Sequence, residues 1–135
     1  MASFAFTDAR VEINSVVMSS FVRSVTLNVE AEDLEDTAMG DTYRSRIGGL
    51  KDWSVDVEFN QDFAASAVDV TIFALLGTVV NVKVRPTSAA ISATNPEYSG
   101  SVLVNEYNPL DGSVGDLATT SVSWPGAGAL SRATT

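Results

Sequence analysis

Hydrophobic and polar residues alternate with period two along most of the chain, the signature of strands with one buried face. Arg10-Val11-Glu12-Ile13-Asn14 opens the pattern, and Asn14-Ser15 permits a bend after it. From Phe21 the alternation resumes, with Val25, Leu27 and Val29 on one face and Ser24, Thr26, Asn28 and Glu30 on the other. Leu50 to Phe59 is the cleanest case: Trp53, Val55, Val57 and Phe59 oppose Ser54, Asp56 and Glu58. Further strands are predicted at Val79 to Arg85, Tyr98 to Tyr107 and Ala118 to Trp124. The strands at 22–31 and 51–59 are expected to pair antiparallel, which gathers Asn28, Glu30, Asp56 and Glu58 on one face.

The pattern breaks in three places. Phe63, Ala67, Val70, Phe73 and Leu76 recur at helical spacing, so one helix is expected over about 61–76, with Asn60 as N-cap and Gly77 as the stop. Its β-branched Val68, Val70, Thr71 and Ile72 weaken its propensity, leaving packing to hold it. Between Glu32 and Gly49 the alternation dissolves into a long acidic excursion that turns basic at Arg44 and Arg46. Links beyond about 12–15 residues are usually functional or disordered. Leu34, Met39, Tyr43 and Ile47 are spaced through this one, so a solvated loop and a partner surface both stay open. Finally, the small residues after Pro125 predict a loose tail at 126–135 unless a neighbour orders it.

Six or seven strands with one inserted helix predict a mainly β fold: an antiparallel β-sandwich or partial barrel with the helix packed against it. At 135 residues, 1–135 is expected to be a single domain. Forty-five per cent hydrophobic content argues against a disordered chain. Ala2 to Phe6 lacks the basic and long apolar regions of a signal segment, and no apolar run approaches the roughly 18–20 residues that span a membrane. A soluble chain made in the cytosol is therefore expected.

Composition then removes most chemistry. The chain has no cysteine and no histidine, which excludes disulfides, thiolate metal sites, cysteine nucleophiles and the Ser-His-Asp arrangement. No phosphate-binding GxxxxGK[ST] run occurs, and Gly48-Gly49 alone carries no meaning. Asp111 to Asp116 reads as a plain turn, lacking the alternating oxygen ligands of a calcium loop. No cofactor and no metal are expected. Seventeen acidic against eight basic residues give a formal net charge of −9, which opposes attraction to phosphate backbones and anionic lipid. Asp56 and Glu58 could form a hydrolase pair only if they straddled a substrate at a defined separation. Lys83 and Arg85 are expected to pair with Asp56 or Glu58 on neighbouring strands. Trp53 and Trp124 would be the stacking platform of a monomeric carbohydrate-binding module, although alternation places both in the core. What remains is a non-enzymatic scaffold with the features of an assembling protein.

Several blocks, in order, resemble the major tail tube proteins of long, flexible-tailed bacteriophages: Ser24-Val25-Thr26-Leu27, Asp36-Thr37-Ala38-Met39-Gly40-Asp41, Gly49-Leu50-Lys51-Asp52-Trp53-Ser54 and Glu58-Phe59-Asn60-Gln61-Asp62. The helix closing at Leu76-Gly77 is similar, as are Val84-Arg85-Pro86-Thr87, Tyr107-Asn108-Pro109-Leu110 and Ser123-Trp124-Pro125-Gly126. The resemblance covers most of the chain from about Phe21 onward.

That resemblance implies a virion protein of the tail, assembled in the host cytoplasm. It implies rings of six copies, closed through sheet edges and stacked into a tube through which DNA leaves the capsid. It also implies tape-measure and tail-end partners and no membrane insertion by this chain. The acid-rich hairpin face would line the lumen, with Glu30, Asp56 and Glu58 as the DNA-repelling side chains. The 32–49 loop would reach a neighbouring copy in the same or the adjacent ring, through Leu34, Asp36, Met39, Asp41, Tyr43, Arg44, Arg46 and Ile47. The alternative from a different class is the monomeric β-sandwich binding module.

Overall fold

A computed structural model describes residues 3, 5 and 7–135, so three residues of the 2–6 stretch discussed above lie outside it. The element order is β1 (Arg10–Ile13), β2 (Val16–Val17), a 3-10 turn (Ser19–Phe21), β3 (Val22–Glu35), β4 (Arg46–Asn60), α1 (Val68–Phe73), β5 (Val79–Arg85), β6 (Glu97–Leu103), β7 (Thr119–Pro125) and β8 (Ser131–Ala133). Two antiparallel sheets form. One has the order β2-β1-β5-β6-β8, and the other β3-β4-β7.

The apolar positions of the alternating segments face one another between the sheets. Val55, Val57, Phe59, Val122 and Trp124 come from the three-stranded sheet, and Val11, Ile13, Val80, Val82 and Val102 from the five-stranded one. Met18, Trp53, Val68, Ile72, Val84 and Val104 complete this core. The expected β-sandwich is therefore present, without a closed barrel. The Asn14-Ser15 bend is a two-residue turn joining β1 to β2, with φ of 51° and 68°. Positive φ at both positions is what matches a tight hairpin to the right-handed twist of its strands.

Four expectations change. First, the helix spans only Val68–Phe73. Asn60 does not cap it: that residue ends β4, paired with Thr119. The intervening Asp62-Phe63-Ala64-Ala65-Ser66 forms turns instead, with Asp62 Oδ1 accepting the Ala64 N–H at 2.8 Å and Ser66 at φ 62°. The β-branched run that follows has too little propensity to extend a helix beyond what packing of Val68 and Ile72 holds.

Second, the excursion at 32–49 is strand at both its ends, over 32–35 and 46–49. β3 and β4 remain paired through Asp33–Gly48, Leu34–Ile47 and Glu35–Arg46, so only residues 36–45 lie outside the ladder. Charged and apolar residues here are interleaved without the clean alternation of a half-buried strand, because neither face of this part is buried. Third, the strand begun at Glu97 ends at Leu103, and residues 104–118 are irregular.

Fourth, the 126–135 segment is tied down by its own chain. Gly126 N–H donates to Trp53 O and Ala127 N–H to Ser101 O, both at 2.7 Å, and Trp53 Nε1 donates to Gly128 O at 2.7 Å. β8 then pairs with β6. A side chain at Gly126 would collide with the Trp53 indole, and one at Gly100 would lie 2.6 Å from Trp53 Cζ2. Small residues in this segment are therefore there to let backbone close over a tryptophan.

Candidate functional site

Two features stand out from the sandwich: the outward face of the three-stranded sheet, and the β3–β4 ribbon that runs past it.

β7 pairs with β4 only between Ser54 and Asn60. Over this length the inward residues of β4 are buried, and the outward ones are Ser54, Asp56, Glu58 and Asn60. Directly opposed residues of antiparallel strands share a face. Register therefore places Asn28 beside Ser54, Thr26 beside Asp56, Ser24 beside Glu58, and Ser121 and Ser123 on the far side of Glu58 and Asp56. The predicted gathering of Asn28, Glu30, Asp56 and Glu58 is thus observed.

Register adds a residue that the alternation alone did not single out. Asp52 lies directly across from Glu30, extending the acidic row along the ribbon. The parity of β4 carried this signal, since 52, 54, 56 and 58 share a face.

The acids are held individually. Asn28 Nδ2 donates to Asp56 Oδ2 at 3.0 Å, and Arg23 Nη1 approaches Glu58 Oε1 at 3.3 Å. Arg23 reaches this face because of a bulge: Val22 pairs with Phe59 and Ser24 with Glu58, leaving Arg23 as the extra residue. The expected pairing of Lys83 or Arg85 with these acids does not occur. Both basic residues lie on β5 in the other sheet, where Arg85 Nε is 3.7 Å from Glu97 Oε1 and Lys83 opposes Glu12. Alternation shows which residues share a strand face but not which strand enters which sheet.

Asp56 and Glu58 border a hollow of about 120 Å³ with Ser24, Thr26 and Ser121. Small-molecule sites usually measure ~300–1,000 Å³. Each acid is moreover matched to its own partner rather than to a shared substrate position. Nor do the tryptophans offer a platform: Trp124 is fully buried and Trp53 nearly so, and Trp124 Nε1 donates to Glu106 O at 3.1 Å.

Beyond Asp52 the ribbon continues alone, kinked by a second bulge between the Ala31–Lys51 and Asp33–Gly48 pairs. Gly49 sits in it, where an added Cβ would lie 3.0 Å from Glu32 Cβ and 3.1 Å from Leu34 Cδ1. At the tip, Asp36 N–H donates to Ser45 O at 2.9 Å, Ser45 N–H to Thr37 Oγ1 at 2.9 Å, and Ala38 N–H to Asp41 Oδ2 at 2.8 Å. Arg46 lies 3.5 Å from Asp33 and Arg44 3.9 Å from Glu35. The tip is a hydrogen-bonded turn that nevertheless presents Met39 and Tyr43 to solvent at 102% and 87% exposure, with Leu34 and Ile47 about half exposed. The eight residues suggested by the resemblance therefore share one projecting element.

The outer edge of β3 bears on both features. Fourteen residues long, β3 has only β4 as a ladder partner, while the other sheet ends in strands of two and three residues. The free side of β7 is covered by the 104–109 segment, through Ser123 N–H to Glu106 Oε1 at 2.7 Å. Among the described residues β3 thus carries the long open edge.

No protein-family model and no curated protein matches the chain. Among solved structures, it is similar to a chain in the virion of a native gene transfer agent particle, with a TM-score of 0.79 over 98% of this chain and 100% of that one, at 16% identity. It is also similar to a chain in the tail of an empty gene transfer agent particle, refined helically with C6 symmetry: TM-score 0.67, 85% of this chain, 83% of that one, 18% identity. The chain shares the fold of these particle subunits.

Proposed function

We propose that this chain is a non-enzymatic structural subunit of a phage-like tail, forming rings of six that stack into a tube for DNA delivery. The observation that carries the reading is the open edge of β3, on a fold shared with a subunit of a C6-symmetric tail. A strand of fourteen residues with no ladder partner on its outer side among the described residues is a template for another chain, and closing a ring removes such an edge.

In this arrangement the face bearing Glu30, Asp52, Asp56 and Glu58 lines the lumen. Duplex DNA is a dense polyanion that a basic wall would hold by releasing counterions. An acidic wall repels it over about 8–10 Å at physiological salt and keeps water between the two surfaces. Arg23 and Asn28 fit this role as local partners that let acids sit side by side without converting the face to a DNA-binding one.

The ribbon fits an inter-subunit arm: Leu34, Met39, Tyr43 and Ile47 as anchors, and Asp36, Asp41, Arg44 and Arg46 as the polar part of the contact. The monomeric carbohydrate-binding reading loses its support with the burial of both indoles.

Light scattering and negative-stain microscopy of the purified chain test the reading. Six-membered rings or tubes are expected as concentration rises. A strict monomer at millimolar concentration would overturn it.

A further inference from the structure

The inner face of β3 is only partly covered. Val25, Leu27 and Val29 pair with Val57, Val55 and Trp53, which are all buried, yet Val25 and Leu27 remain part-exposed and Val29 is 59% exposed. An apolar strip beside an open sheet edge is a place for one more strand.

The chain's own early residues lead to that place. Thr7 and Ala9 line a hollow of about 120 Å³ with Val22, Ser24 and Val25. Ser24 and Val25 belong to opposite faces of β3, and β4 occupies its other side, so the hollow lies along the open edge. It also lies at the first residues of β3. A segment leaving Thr7 towards lower numbers therefore follows this edge only by running antiparallel to β3, towards Glu30.

The sequence suits that course. Met1 to Thr7 contains no charged side chain, and Ala2-Ser3-Phe4-Ala5-Phe6 alternates, with Ala2, Phe4 and Phe6 on one face and Ser3 and Ala5 on the other. Five strand residues reach ~17 Å, the length of Val25 to Val29. Laid there, Phe4 and Phe6 would meet the apolar strip, while Ser3 and Ala5 would extend the polar face beside Thr26 and Asn28. Thr7 N–H donates to Ala5 O at 3.0 Å in a three-residue turn. Docking exchanges that one local bond for several ladder bonds.

We propose that residues 2–6 form an additional edge strand, antiparallel to β3 over Val25 to Val29 of the same copy, in the unassembled chain. Thr7 already stands at this edge, which gives the segment an effective concentration that no second chain matches in dilute solution. A ring neighbour taking the β3 edge has to displace this strand, so the strand guards the edge against premature association. The guarding role rests on the ring reading, and the strand itself does not.

The chain has no cysteine, so introduced pairs report on the contact. Phe4→Cys with Leu27→Cys, and Phe4→Cys with Val29→Cys, test two registers of the same parity, and Ser3→Cys with Leu27→Cys puts one thiol on the opposite face. In dilute full-length chain under mild oxidant, at least one Phe4 pair is expected to close within a monomer about tenfold faster than the Ser3 pair, read on a non-reducing gel. Rates no faster than that of the Ser3 pair would overturn the inference. So would disulfide-linked dimers in place of closed monomers, which would assign the segment to the edge of a second copy. Phe4→Ser with Phe6→Ser removes both rings and is expected to speed amide exchange about tenfold at the 25–29 amides that face the open edge; unchanged exchange would equally overturn it. Both measurements use dilute chain, so a wild-type protein that forms no rings at high concentration would overturn the ring reading and leave the strand standing.

Discussion

Trp53 shows how a single residue sets the conformation of a segment far along the chain. Its indole N–H is satisfied by Gly128 O, and its faces are approached by Gly100 and Gly126. Gly126→Ala should therefore destabilise the fold by overpacking, by about 1–3 kcal/mol, measured as a lower urea midpoint. Tyr107 provides a second test. Partial burial, then the hydrogen bond to Asp69 and the Asp69 charge, outweigh the bond from Gln61 and push its hydroxyl up to about 12 from 10.0. A pKa raised on folding favours the neutral hydroxyl, so its stabilising effect is complete below pH 10 and is lost as pH rises from 10 towards 12. Tyr107→Phe should cost about 1 kcal/mol near neutrality. Chemical denaturation across that pH range should show the variant lacking this part of the wild-type decline.

The β3–β4 ribbon is one element in two environments. Its body lies within the three-stranded sheet and its far end does not, so the two parts answer to different constraints. The body needs alternation to bury Val55, Val57 and Phe59. The far end needs backbone pairing and the bulge at Gly49-Leu50 to set its direction. Substituting Met39, Tyr43 and Ile47 by serine should change monomer stability by no more than about 0.5 kcal/mol, as usual for surface positions. The same variant should fail to stack. Thermal unfolding and microscopy separate these outcomes: a large loss of stability would show the tip to be part of the fold, and normal tubes would show it to be no contact.

At the scale of the whole molecule, charge decides how assembly responds to salt and how a tube treats DNA. Each copy carries a formal charge of −9, so bringing copies together is opposed by a repulsion that salt screens. Tube yield should rise between about 10 and 150 mM salt, where the Debye length falls from ~30 to ~8 Å; sedimentation would measure it. Asp56→Lys with Glu58→Lys reverses the sign of the proposed wall. Tubes of that variant should retain duplex DNA in a salt-dependent manner in a filter-binding assay, and wild-type tubes should not. Equal retention by both would remove these acids from the lumen.

The sequence by itself determined what depends on local periodicity. Period-two alternation placed the strands and the acids on one face of each, because a half-buried sheet demands that pattern wherever it occurs; the expected pairing of 22–31 with 51–59 joined strands consecutive in the chain. The absence of cysteine and histidine and the net charge limited the chemistry without any coordinates. The tertiary structure alone decided whatever depends on residues distant in sequence. Strand pairing through 33–35 and 46–48 has no buried face to imprint alternation on it. The helix shrank to Val68–Phe73 because packing, not propensity, holds it. Trp53 fixed the small-residue tail across 75 positions, and Gln61 Nε2 held Pro109 O across 48. Lys83 and Arg85 went to a different sheet from the acids they were expected to meet, since a strand's own pattern carries no record of its neighbours.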